Sequence, residues 1–360
     1  MSSAAWWGGF RAVSDDDFAR VVHAQEFALN PALDPTGTSW LPFPFWLTGA
    51  VMTVAGTDIA VARAVAWVLG IGSSLLVYAA ARLLVDNRDG ALLGALVATV
   101  LPWSVRLGVA TVPELPAAAL TVFALATLTQ KAPRLRLWGA TSLVAATLCR
   151  YEPWIAAVGF AILTAWDGLR SDRARPQYGL AVVVACVGPL AWIAHNAISH
   201  GDAFHFLARV SAYKRAVGGT TSLWEVIAGY PLSLLREEPE LCILALVFVA
   251  YRRAVPRSFR RPAYVLAATL AMLSLAALPG GAPTHHVGRA VLSIWLLLAI
   301  GVGEGARVAL ASEHRRRFAA LVVVLMPTGA LVLRPWYARL DSFITRADEV
   351  AIGREVAAHL

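Results

Sequence analysis

Charge is what this sequence has little of. Only 15% of its 360 residues are charged and 58% are hydrophobic, whereas soluble domains carry about 25% charged and about 45–50% apolar residues. Its mean hydropathy is +0.62. An ordinary soluble domain is excluded, and so is low-complexity disorder, which requires low hydrophobicity. Cysteine is scarce as well. Cys149, Cys186 and Cys242 lie in or beside apolar segments with no CxxC spacing, so they read as buried thiols, with neither a disulfide framework nor a zinc site. No internal repeat of fixed period occurs. The opening MSSAAWWGGF lacks a basic n-region and an apolar h-region, so no cleavable signal peptide is expected.

What the sequence has instead is apolar stretches nearly end to end, separated by short basic or Pro/Gly-rich breaks. That is the pattern of a polytopic helical membrane protein. Ten segments are expected to cross: 61–84, 90–107, 113–128, 137–148, 154–166, 178–193, 239–251, 263–278, 290–302 and 318–333. Several are shorter than the roughly 20 residues a spanning helix needs, so soft boundaries and tilted or shared flanks are expected. Gly90 and Gly94 have the spacing of close helix packing. Gly70-Ile71-Gly72 falls inside a membrane segment, which argues against a phosphate-cradling loop. The fold class is therefore all-α, a polytopic membrane protein of about ten transmembrane helices. Residues 1–60 form an extracytoplasmic region with an amphipathic helix, 61–333 the membrane domain and 334–360 a short extracytoplasmic tail.

An isoelectric point near 9.9 invites a nucleic-acid reading, but the basic residues sit in short clusters between apolar segments. Alternate connections hold Arg82 and Arg88; Lys131, Arg134 and Arg136; Arg170, Arg173 and Arg175; Arg252, Arg253, Arg257, Arg260 and Arg261; and Arg307, Arg315, Arg316 and Arg317. With ten spans in series these all fall on one side, which the positive-inside rule makes cytoplasmic. The other side collects the unusual polar residues. It has Ser14-Asp15-Asp16-Asp17, Glu114, Arg150 and Glu152, the polar stretch 195–240, His285, His286 and Arg289, and the carboxy-terminal 334–360. Ionisable groups at membrane depth are costly and usually functional, so an extracytoplasmic site at the membrane boundary is expected. Segment 40–56 is apolar but short, with Pro42 and Pro44 near its start. It either spans or returns at the outer interface, and the acidic amino terminus favours the second.

Each of these motifs has two readings. Ser14 with three acids is a helix cap and dipole partner, or the cluster supplies a general base; Phe18, Val21, Val22, Gln25 and Leu29 follow at helical spacing, with Phe18, Val21, Val22 and Leu29 expected to face the membrane. Arg150 is an interfacial arginine paired locally with Glu152, or a bidentate phosphate ligand. Arg289, one turn beyond His285, is the other phosphate candidate. Adjacent His285 and His286 diverge on any regular backbone, so paired metal ligation needs partners elsewhere. Glu114, just after Pro113, is a first-turn acid or a second carboxylate. Trp224, Tyr230 and Tyr213 with Lys214, Arg215 and Arg236 read as an interfacial belt or an acceptor groove.

The runs SDDDFARVVHAQEFA, SWLPFPFWLTGA, DIAVARAVAWVLG, TVPELPAAALTVFALATL, TLCRYEPW and HHVGRAVLSIWLLLAIG occur in this order. Together, over about residues 13–301, they resemble the polyprenyl-phosphate-sugar-dependent membrane glycosyltransferases of the GT-C superfamily, of the protein mannosyltransferase and aminoarabinose transferase type. Such proteins place an acidic pair followed by an aromatic on an amphipathic helix of the first extracytoplasmic loop. They normally have a membrane helix before that pair, whereas about fourteen residues precede it here; that helix is expected upstream or is lost. The tail after 334 is expected to be too short for the extra outer domain some members carry.

The resemblance implies transfer of a sugar from a polyprenyl-phosphate donor to a hydroxyl of a lipid, glycan or protein acceptor, with inversion, at the outer face of the cell membrane. Asp15, Asp16 and Asp17 would supply the base. Glu114, Arg150, Glu152, His285, His286 and Arg289 would bind substrate. No cofactor is implied, with a divalent metal left open, and no nucleic-acid partner. The alternatives are a transporter or flippase without chemistry, or a lipid-binding subunit.

Overall fold

The computed structural model describes residues 2–37, 39–171, 175–217, 223–252, 256–276, 287–311, 317 and 346–359. Among these, all regular structure is helical. A short α1 (Ser2–Trp7) precedes α2 (Asp16–Leu29) and α3 (Phe43–Ala55). The bundle follows: α4 (Ile59–Leu84), α5 (Arg88–Val100), α6 (Pro102–Leu107), α7 (Glu114–Thr127), α8 (Pro133–Cys149), α9 (Glu152–Leu169) and α10 (Arg175–His200). Then come α11 (His205–Val217), α12 (Leu223–Glu237), α13 (Pro239–Arg252), α14 (Arg257–Ala276), α15 (Val287–Ala290), α16 (Leu292–Leu310) and α17 (Ala347–His359).

The first nine expected membrane segments fall on these helices. The tenth, 318–333, lies outside the described residues, as do His285 and His286. Segment 90–107 breaks into α5 and α6 at Pro102, whose ring and missing N–H interrupt the helical ladder. Three described helices, α4, α10 and α16, are long and apolar enough to cross a membrane by length and composition.

Helix α7 is the centre. It is apolar and buried on all sides, through Ala117, Ala118, Ala119, Val122, Ala124 and Leu125 among others, as a helix enclosed by others must be. It packs on α4, α8, α9, α14 and α16. Small residues let backbones approach where helices cross. A Cβ on Gly94 of α5 would strike the Ile300 backbone of α16, and one on Gly303 would strike Gly94. Gly70 likewise lies against the Gly108 carbonyl, inside the continuous helix α4. The cysteines are free thiols, with Cys149 and Cys242 buried and Cys186 half-buried.

The basic connections gather at one end of the bundle. Thr129 and Gln130, after α7, donate to the Leu83 carbonyl at the end of α4. Tyr178 at the start of α10 donates to the Lys131 carbonyl. Arg136 and Arg261, from the starts of α8 and α14, share Asp167 at the end of α9, each at 2.7 Å. Arg136 is 2% exposed and also reaches the Leu128 carbonyl at 2.8 Å. Burial alone would raise the Asp167 pKa, but the hydrogen bonds from Arg261 and Arg136 hold it below the usual range.

Helix α3 starts where 40–56 was expected to be broken. Pro42 and Pro44 fall at its amino terminus, where a missing N–H is harmless. Its 13 residues rise only about 20 Å, short of a hydrocarbon core of about 30 Å. It packs on α2.

Two expectations for α2 are corrected. Ser14 is not its cap: the Ser14 hydroxyl is buried without a hydrogen bond. Asp17 instead reaches back, its Oδ2 accepting from the backbone N–H groups of Val13 and Ser14 at 3.0 and 3.2 Å. Nor does Val21 face outward. Val21 and Ala24 are buried against Met52 and Ala62, while Val22 and Leu29 are exposed. The inward stripe at 17, 20, 21 and 24 includes charged positions, so hydrophobicity alone misplaces it.

Candidate active site at the opposite end

Odd and even turns of a bundle alternate ends, so the starts of α7 and α9 and the ends of α6, α8 and α10 come together away from the basic connections. There Glu114 opens α7, Arg150 ends α8 and Glu152 opens α9. Arg150 donates to both oxygens of Glu152 and, through Nη1, to Glu114 Oε1 at 2.9 Å. Arg289 of α15 lies 3.6 Å from Glu114 and 3.8 Å from Asp16 of α2. The outcome is a chain of alternating charge, Asp16–Arg289–Glu114–Arg150–Glu152, drawn from five helices. Glu114 and Arg289 are each 4% exposed. Burial works against the charge on Arg150, but Glu152 and Glu114 outweigh it and raise its pKa.

The three acids of the run have different surroundings. Asp17, 4% exposed, accepts from the Thr111 N–H at 2.9 Å as well as from Val13 and Ser14. It ties α2 to the loop before α7. Burial raises its pKa despite these three bonds. Asp15 is mostly exposed and pairs with Arg346 at 2.9 Å. Asp16, about one-third exposed, faces Arg289. Helix α17 thus reaches the same end as the acidic run, with a second pair from Arg354 to Asp58 at 3.2 Å.

Two residues at this end, Arg20 and Glu237, escape a reading by sequence, and a third, Tyr230, reads there only as part of a belt or groove. Arg20 is 6% exposed, with its guanidinium 4.5 Å from the Trp40 ring centre and 5.5 Å from that of Phe45. Burial weakens its hold on its proton, and Glu114 and Asp16 oppose that effect. A usable signal exists: it lies four residues after Asp16, on the same helical face. Tyr230 of α12 is 3% exposed, and its hydroxyl is buried with no hydrogen bond. It sits in the field of Glu152 and Arg150, so it departs from the interfacial-belt expectation, whereas Trp224 on the same helix is 68% exposed. Glu237, at the end of α12, accepts from Trp103 of α6.

A cavity opens beneath the charged chain between α7, α9, α14 and α16. Glu114, Arg150, Glu152 and Arg289 line its polar part and Ala117 and Ala156 its apolar part. Among the described residues no three His, Cys, Asp or Glu side chains come close enough to share a metal ion.

Comparison with known proteins bears on the fold. Residues 36–193 match the family model of dolichyl-phosphate-mannose-protein mannosyltransferases. The matched stretch contains Glu114, Arg150 and Glu152 and begins after the acidic run. No curated protein matches in sequence. The fold is similar to that of ArnT from Cupriavidus metallidurans bound to undecaprenyl phosphate, with TM-score 0.61, 17% identity, and coverage of 89% of this chain and 61% of ArnT. It is also similar to the archaeal oligosaccharyltransferase AglB from Archaeoglobus fulgidus in complex with an inhibitory peptide and a dolichol-phosphate. There the TM-score is 0.53 and the identity 14%, with 89% of this chain and 51% of AglB covered. The chain therefore spans between about half and three fifths of the solved chains it matches. The resemblance extends to three dimensions: the described residues, all helical in their regular structure, have the polytopic membrane fold of ArnT and AglB.

Proposed function

We propose that this protein transfers a sugar from a polyprenyl-phosphate donor to a hydroxyl acceptor at the extracytoplasmic end of the bundle. One observation carries the reading. Arg20 and Arg289 each bury Nε and Nη1 with no hydrogen-bond acceptor, and Arg289 lines a cavity at the polar end of an apolar bundle. A buried guanidinium without acceptors is costly, and an anion with several oxygens, such as a phosphate, would satisfy these donors. Arg150, whose nitrogens already serve Glu152 and Glu114, acts here as the brace that holds Glu114. Lipid-bound phosphate suits the place because its tail stays among the helices while its head meets the ions.

Asp16 is the base in this mechanism. It removes the acceptor proton as the hydroxyl oxygen attacks the anomeric carbon, and the bond from that carbon to the phosphate oxygen breaks. Charge grows on the departing phosphate, where Arg289 and Arg20 stabilise it. A single displacement inverts the anomeric centre. Asp17 is poorly suited to be the base because backbone donors occupy both its oxygens. His285 and His286 stay candidates for substrate binding, as the resemblance implies. A transporter is less well supported, since the charges sit at one end and not at the membrane midplane.

Membranes containing the full chain, incubated with radiolabelled polyprenyl-phosphate sugars, test this directly. Label should move to an endogenous acceptor, and the Asp16→Asn chain should transfer none above background. Equal transfer by both chains would remove Asp16 from the mechanism, and no transfer from any donor would remove the activity.

A further inference from the structure

We infer that Glu237 is a positioning residue for Arg289, so that α12 controls the geometry of the phosphate end of the site. Arg289 depends on support from outside its own helix. It lies on α15, a helix of four residues, too short to be stable alone. Beyond its junction with α16, α15 packs on α12. The point of contact is Glu237. A Cβ on Gly288, the residue before Arg289, would fall within the Glu237 carboxylate. Only glycine allows that approach.

The carboxylate is itself fixed. Trp103 of α6 donates to Oε2 at 2.6 Å, and Ser233 donates to Oε1 at 2.9 Å. Three elements therefore converge on one side chain: α6 from the bundle, α12 above it and α15 carrying the arginine. The positive charge of Arg289 acts on Glu237, although its ion-pair partners at the site are Asp16 and Glu114. Glu237 thus sets the backbone on which Arg289 stands. Tyr230, two turns earlier on α12, lies on the same face, in the field of Glu152 and Arg150. Trp224, Ile227 and Leu235 of the same helix are exposed. A shift of α12 would consequently be felt at Arg289, while α7, α8 and α9 keep Glu114, Arg150 and Glu152 in place.

The ligand part of this inference rests on the proposed function, and its structural part does not, so the test reads both. Full-length chains in detergent are assayed for binding of undecaprenyl phosphate and for backbone hydrogen exchange. Glu237→Ala should weaken binding about tenfold and speed exchange in the peptide spanning α15 and the start of α16, with α7 and α9 unchanged. Glu237→Gln, which can still accept from Trp103 and meet Ser233, should recover most of both losses. The decisive comparison uses Arg289→Ala. In that background Glu237→Ala should cause no further loss of binding, because interacting residues are non-additive. An undiminished tenfold loss there, or unchanged exchange at α15 in a folded Glu237→Ala chain, would overturn the inference. If Glu237→Ala fails to fold, Trp103→Phe, which removes one of the two bonds, should speed α15 exchange, and unchanged exchange overturns it equally. Failure of the unaltered chain to bind the lipid would contradict the proposed function, with the exchange result still deciding the link between Glu237 and α15.

Discussion

Three consecutive carboxylates with one sequence pattern have three different surroundings. Asp17 is a fastener: its oxygens hold the adjacent N–H groups of Val13 and Ser14 and the loop before α7. Asp17→Asn exchanges one acceptor oxygen for a donor that meets N–H groups, so it should lower the melting temperature of the detergent-solubilised chain, by about 1–3 kcal/mol of stability. Asp15→Asn disturbs an exposed pair with Arg346 and should be within about 0.5 kcal/mol of the parent. Asp16→Asn should leave stability and donor binding nearly intact and reduce turnover about 10²-fold or more. Thermal melts and single-turnover transfer on the three variants separate these roles. A turnover loss for Asp15→Asn equal to that of Asp16→Asn would contradict the assignment. The acidic run was visible in the sequence as a candidate, but the different surroundings of its three carboxylates were not. Which carboxylate meets backbone donors depends on Thr111, some ninety residues away in the chain. Arg20 was hidden for a related reason: its burial depends on Trp40 and Phe45 from a different element.

Helices were legible because apolar runs, prolines and capping residues are local signals. Asp58 shows this: its Oδ1 accepts from the Ala60 N–H at 2.7 Å and caps α4. That bond, and the hydrogen bond from Arg354, hold its pKa below the ordinary carboxylate range. The contribution is therefore present above the ordinary carboxylate pKa and is lost as pH falls through the lowered folded value. Asp58→Ala should cost about 1 kcal/mol at neutral pH and less in acid, while Asp58→Asn should keep most of the cap and lose the pH dependence. Melting curves from neutral to acidic pH check this; a loss from Asp58→Ala that stays the same in acid would contradict it. What α2 and α12 bury was less legible. Both put charged or polar groups on the inward face, Asp17 and Arg20 in one and Ser233 and Glu237 in the other, because each closes over an ionic site. Hydrophobic periodicity reads such a face as outward.

For the whole molecule, the alternation of basic connections carried furthest. It separates the Arg136–Asp167–Arg261 end from the Asp16–Arg289–Glu114–Arg150–Glu152 end without any knowledge of contacts, since consecutive antiparallel helices must return their connections to alternate ends. The first end is a lock. Asp167→Ala would leave Arg136, 2% exposed, without its carboxylate, and should destabilise by about 3–5 kcal/mol, read as a large fall in melting temperature; a fall no larger than that of an exposed pair would contradict this. In a cysteine-free background, Arg134→Cys should label with an impermeant thiol reagent only from the cytoplasmic side, and His200→Cys only from outside. Labelling of both from the same side would refute the topology.

The central claim is that the second end is a phosphate site within a lipid-facing bundle. The most direct measurement compares binding of undecaprenyl phosphate with that of undecaprenol, which has the same tail and no anion, to the full chain in detergent. The account predicts at least a tenfold preference for the phosphate, weakened by high salt and abolished in the Arg20→Ala/Arg289→Ala chain while undecaprenol binding is unchanged. Equal affinity for the two lipids in the unaltered chain, or a phosphate preference that survives loss of both arginines, would contradict it.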